Sequence, residues 1–123
     1  MDDERVWALE ESLWTGGPDN FRNLLDEASL TLVPTAPFLL DSEQTIASIE
    51  KAPRWKEVVM AHRKVVRPQE GLIVLGYRAV ARRDEAEDYN AWCTSTWRRV
   101  AHDEWRLVQH QQMQAADTPL RGG

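Results

Sequence analysis

The chain has one cysteine, Cys93, so it can form no internal disulfide and has too few thiols for a cysteine-based zinc site. That usage fits a reducing compartment, and we expect a cytoplasmic protein. No apolar run approaches the ~20 residues needed to cross a bilayer. The opening Met1-Asp2-Asp3-Glu4-Arg5 is acidic, with no apolar stretch of signal-peptide length behind it, so neither export nor a membrane partner is expected. A basic stripe is also missing. Net charge is −5 at pH 7, and the Lys and Arg residues are scattered or faced by acids, which excludes nucleic acid from the expected partners. Neither a metal nor another cofactor is expected.

What is present is an ordinary globular balance, with 42% hydrophobic and 28% charged residues. At 123 residues this is the size of one domain, which buries roughly two-thirds of its unfolded surface. We expect a single domain over residues 1–114 and a flexible tail over 115–123, which is polar, carries Pro119 and ends in two glycines. Tryptophan is in excess, at six residues, and rings of that size either fill a wide core or line a cavity.

Val6, Trp7, Leu9, Leu13 and Trp14 recur at helical spacing from Asp3 to Trp14, with Asp3, Glu4, Glu10 and Glu11 assigned to the opposite face. Thr15-Gly16-Gly17 ends this helix, glycine being suited to the left-handed conformation at a C-terminus, and Pro18 opens a second helix to about Leu25. Ser29 to Val33 and Phe38 to Leu40 read as a peripheral hairpin around Pro34-Thr35-Ala36-Pro37. A third helix runs from Ser42 to about Ala52, with Ser42 and Thr45 forming an incomplete capping box, and Pro53 follows.

The C-terminal half reads as strands. Trp55 to Val66 alternates, placing Val58, Met60 and His62 on one face. Leu72 to Arg82, Glu87 to Val100 and Trp105 to Gln112 follow, joined by short charged connections that favour antiparallel hairpins. Ile73, Leu75, Tyr77, Ala79 and Ala81 make the cleaner core face, and the shrinkage from Ile to Ala leaves room there for a bulky neighbour or a ligand. The opposite face, with Leu72, Val74, Gly76 and Val80, is too apolar to be wetted, so a second subunit is expected on it. Arg82-Arg83 and Arg98-Arg99 read as solvated charge facing Asp84, Glu85, Glu87 and Asp88.

Trp55 after the third helix, the Tyr77-Arg78-Ala79 strand, the Thr94-Ser95-Thr96-Trp97 strand and the closing run Trp105 to Gln112 stand in an order that resembles the nuclear transport factor 2-like superfamily, which includes SnoaL-like cyclases and ketosteroid isomerases. The resemblance covers nearly the whole chain. It implies an α+β fold: a curved antiparallel sheet wrapped around three N-terminal helices as a cone-shaped α+β barrel. It also implies a pocket at the open end and a homodimer through the sheet. The catalytic patterns of relatives do not carry over. Ala28 to Leu40 holds no carboxylate where ketosteroid isomerases place their base, and Arg78 and Arg98 lack the aspartate pair of epoxide-hydrolase relatives.

The ligand-binding set expected from these strands is Trp55, Tyr77, Ser95, Trp97, His110 and Gln112, around a small apolar molecule, with His110 or Tyr77 as candidates for proton transfer. Each has a plainer use as core or as a hydrogen-bonded structural group. Gln111 and Gln112 must face opposite ways if the strand is regular, and a bulge would change which one faces inward. Cys93 lacks an activating cation and reads as a small apolar residue. Trp97 shares its face with Cys93 and Ser95 and is placed inward, and Trp92 outward. Three functions fit: a small-molecule-binding module, a pocket enzyme of isomerase, cyclase or hydrolase type, and a reused or altered scaffold.

Overall fold

The structure, a computed structural model, describes residues 1–115, so the expected tail lies outside the described residues from 116 onward. Three helices, α1 (Asp3–Thr15), α2 (Pro18–Leu24) and α3 (Ser42–Lys51), accompany six strands: β1 (Leu25–Leu32), β2 (Leu39–Leu40), β3 (Glu57–Gln69), β4 (Leu72–Arg82), β5 (Tyr89–Ala101) and β6 (Glu104–Gln114). The sheet order is β2-β1-β6-β5-β4-β3. The α+β class with a curved sheet around the helices is as expected. However, β1 runs parallel to β6, so the sheet is mixed rather than wholly antiparallel, and it stays open between its edge strands β2 and β3.

α1 begins at Asp2, whose carboxylate accepts from the Arg5 N–H at 2.8 Å, and Asp3 and Glu4 add negative charge at the positive helix end. Its end differs from the expectation. Gly16 is extended, at φ −79°, not left-handed, and glycine is needed there because a Cβ would stand 2.6 Å from the Ser12 carbonyl oxygen. α3 is capped one residue earlier than expected, by Asp41. Its side chain accepts from Gln44 N–H at 2.9 Å, while Gln44 Oε1 accepts from Asp41 N–H at 3.0 Å, so the capping box is complete after all.

The inner face of β4 is the one read from the sequence, with Ile73, Leu75, Tyr77, Ala79 and Ala81 all buried. Trp97, Cys93 and Ser95 of β5 lie beside it, and Val6, Leu13 and Trp14 of α1 close over them. No space is left over Ala79 and Ala81, which are fully buried.

Two bulges decide which side chains face inward. In β3 the register shifts between Ala61 and Lys64. His62, at φ 54°, therefore leaves the face of Val58 and Met60 and turns outward to Trp92, with ring centroids 5.9 Å apart, while the Arg63 guanidinium covers Trp7 on the helix side. In β6 the pairing steps from Trp97↔Leu107 to Thr96↔Gln109, leaving Val108 as the extra residue. Trp105 and Leu107 face in before the step; His110 faces in after it, followed by Gln112, with Gln111 outward. A regular strand would have turned Gln109 and Gln111 inward instead.

Candidate functional site

Glu10 is the residue that sequence reasoning misplaced. It stands on α1 at the helical interval between Val6 and Leu13–Trp14, which puts it in the middle of the apolar stripe, and it is 0% exposed. Two of its partners come from β5 and one from β4. Glu10 Oε2 accepts from Tyr77 Oη at 2.5 Å and from Ser95 Oγ at 2.6 Å, and Oε1 accepts from Trp97 Nε1 at 2.9 Å. His110 Nδ1 lies 3.5 Å from the same Oε2 and 2.7 Å from Ser95 Oγ.

These donors set the state of the carboxylate. Burial alone would push the Glu10 carboxyl up, but the hydrogen bond and electrostatic attraction from the His110 ring, with the hydroxyls of Ser95 and Tyr77, hold it below the ordinary glutamate range. Tyr77 moves the other way. Burial first, and the Glu10 charge second, push its phenol well above the tyrosine range, and its oxygen also accepts from Trp14 Nε1 at 3.0 Å. The Cys93 thiol is pushed up to about 12, chiefly by burial, so it stays protonated and inert.

A sign follows for acid stability. The folded Glu10 carboxyl binds its proton at lower pH than the ordinary value near 4.5. Its contribution to stability is therefore complete above that value and is lost as pH falls through it toward the folded one. Urea midpoints measured from about pH 6 down to about pH 3 should fall, and Glu10→Gln should flatten the slope in that window. An unchanged slope in the variant would assign it to other carboxylates. Asp26 is the foremost of these, held below its usual range by the Ala28 N–H and by Arg98, whose Nη2 reaches it at 2.5 Å. That pairing also corrects the reading of Arg98 as charge facing the 84–88 acids.

Beside this network is a cavity of about 80 Å³ between the three helices and the β1–β6 end of the sheet. Its walls are mostly apolar, from Leu13, Trp14, Phe21, Leu40, Ile49 and Trp55, with Thr31, Thr45, His110 and Gln112 as polar points. Arg54 closes one side by donating to the carbonyls of Leu13, Trp14 and Gly16 at the end of α1. Trp55 is held flat against Tyr89, 5.7 Å between centroids, and under the Arg83 guanidinium. The Tyr89 hydroxyl in turn donates to Gln112 Oε1 at 2.9 Å, and Gln112 Nε2 lies 3.1 Å from His110 Nε2.

The six residues expected from the sequence thus fall into two layers. Trp55, His110 and Gln112 line the cavity; Tyr77, Ser95 and Trp97 stand behind it, bound to Glu10. His110 belongs to both. Among the described residues no group of three or more His, Cys, Asp or Glu side chains is placed to hold a metal ion, and no helix is long and apolar enough to cross a membrane.

A helix layer held against an open, curved, mixed sheet, with a cavity between the two, defines a cone-shaped α+β protein. Solved structures place it within the nuclear transport factor 2-like fold. A proposed ketosteroid isomerase from Parabacteroides distasonis matches with a TM-score of 0.77 and 19% identity, over 91% of this chain and 86% of the other. An NTF2-like protein from Cytophaga hutchinsonii matches at 0.74 and 14%, over 94% and 100%. A CaMKII hub from S. rosetta matches at 0.71 and 15%, over 91% and 92%. At these identities the likeness is one of fold. No protein-family model matches the sequence, and no curated protein matches it.

Proposed function

We propose that the protein binds a small, largely apolar molecule in the cavity between the helices and β6, with His110 as its polar contact and the Gln112 amide beside it. The observation that carries this is the cavity itself: about 80 Å³ of mostly apolar wall with one imidazole and one amide at its edge. That volume holds roughly five to eight water-sized groups at ~10–15 Å³ each, the size of a single substituted ring. Trp14 and Trp55 are part of the wall, so an occupant should change tryptophan emission. His110→Ala should weaken binding by up to about a hundredfold, the cost of a lost buried contact. Unchanged emission across a series of small ring compounds, together with no co-purifying molecule in a native mass spectrum, would remove the binding reading.

A catalytic use of the same cavity rests on His110. Tyr77 is the weaker candidate, because its hydroxyl is held between Glu10 and Trp14 and lies outside the cavity wall. Turnover that tracks the charge state of His110, with binding retained, would favour it.

The expected homodimer is proposed through the outer face of the sheet. Leu72, Val74, Gly76 and Val80 are half-buried there, and Val59 at 53%, Trp92 at 41% and Met113 at 57% exposure extend an apolar surface over β3, β5 and β6. The hub among the neighbours supports self-association. Sedimentation should give about 28 kDa, twice the chain mass of 14.2 kDa. A species that stays at the chain mass at every concentration would overturn the dimer.

A further inference from the structure

Resting on the cavity as the binding site, the geometry points to a ligand that donates a hydrogen bond to His110 Nε2: a hydroxyl or N–H compound, not a ketone, ether or other molecule that only accepts. The argument is one of donor direction along a chain of five side chains. An ionised carboxylate can only accept. Ser95 has a single hydroxyl hydrogen, and its oxygen lies 2.6 Å from Glu10 Oε2, so the hydrogen is committed there. Toward His110 Nδ1, at 2.7 Å, Ser95 must therefore act as acceptor, and Nδ1 must carry the ring hydrogen. A neutral imidazole protonated at Nδ1 has a bare lone pair at Nε2.

The far end of the chain gives the same answer. Tyr89 donates to Gln112 Oε1 at 2.9 Å, which leaves the amide nitrogen of Gln112 facing His110 Nε2 at 3.1 Å. An amide nitrogen offers hydrogens and no lone pair, so Nε2 is again the acceptor. Two anchors, the buried Glu10 carboxylate and the Tyr89 hydroxyl, thus hold His110 in one tautomer with its accepting nitrogen at the cavity edge. The Gln112 amide is the group a ligand hydroxyl must displace, and an O–H donor makes the shorter bond of the two. Ser95 and Glu10 never meet the ligand; they are positioning residues, and they select a donor over an acceptor two side chains away.

Cyclohexanol and cyclohexanone test this, because they share a ring and a size and differ in whether they can donate. Binding to the full chain should be about tenfold tighter for the alcohol, the worth of one net hydrogen bond. Gln112→Leu, which removes the competitor, should tighten the alcohol several-fold and leave the ketone unchanged. Nitrogen-15 spectra of the histidine rings at about pH 8, where an imidazole is ordinarily neutral, should show His110 with hydrogen on Nδ1 and a bare Nε2 that shifts on adding cyclohexanol. Glu10→Gln should mix the tautomers and shrink the alcohol preference, provided the variant folds; the wild-type spectrum decides without it. Equal affinity for the two rings, or hydrogen on Nε2, would overturn the donor class while leaving the pocket in place. Failure of both rings to bind at millimolar concentration would overturn the pocket and this inference with it.

Discussion

Replacing Glu10 with leucine is expected to cost about 3 to 5 kcal/mol of stability, although the substitution puts an apolar side chain into a fully buried site. The reason lies in what remains. Tyr77 Oη, Ser95 Oγ and Trp97 Nε1 each direct a hydrogen at the carboxylate; Ser95 can turn its hydrogen to His110 Nδ1 at 2.7 Å, but Tyr77 and Trp97 would be left buried without an acceptor. One unsatisfied buried donor costs about 1 to 3 kcal/mol, and partial relaxation keeps the sum of two below its upper limit. Glu10→Gln retains shape and one acceptor but turns a second hydrogen toward a donor, so it should fall between wild type and Glu10→Leu. Urea denaturation at neutral pH orders the three proteins. A leucine variant within about 1 kcal/mol of wild type would mean that the three donors find other partners and that the network is not what holds α1 to the sheet.

Trp105→Ala is expected to lose a similar amount, about 3 to 5 kcal/mol, by a different route. Trp105 is 7% exposed on the inner face of β6 and belongs to the same apolar cluster as Leu107 and Ile73. Its removal leaves a cavity and strands no buried polar group in the Glu10 network. The loss should therefore be nearly the same at pH 7 and near pH 4, whereas the Glu10 contribution fades on acidification. A midpoint unchanged within error would place the ring outside the core.

The course of β4 was legible in the sequence because a short run rich in β-branched and aromatic residues, bounded by Gly71 and the charged Arg83-Asp84-Glu85, reads as a strand, and by alternation Ile73, Leu75, Tyr77 and Ala79 make its cleaner core face. The inward placing of Trp97 followed from the same rule and holds. The rule fails where a strand carries one extra residue. His62 and Val108 stand in runs whose residue types fit either face, so neither bulge could be read, and with them went the side of His62 and the choice between Gln111 and Gln112. Glu10 was misread for another reason. Its helical interval from Val6 to Leu13 marks the buried stripe, but a carboxylate is so seldom buried that its charge points to the solvated face. Its donors lie on strands far along the chain, and no local signal announces them.

The cluster around Glu10 also sets an order of events during synthesis. Glu10 joins Ser95 and Trp97, and Thr31 pairs with His110, so the first and last parts of the chain meet in one place. At about 5 to 20 residues per second, β6 leaves the ribosome roughly 5 to 20 s after α1. During that interval α1, at 13 residues, is too short to be a stable helix alone, and Glu10 stays in water. The carboxylate meets its donors only when β4 and β5 arrive, and the cavity, walled in part by Leu107, His110 and Gln112, forms only after β6 follows, which leaves a ribosome-bound chain that stops before His110 without a binding site.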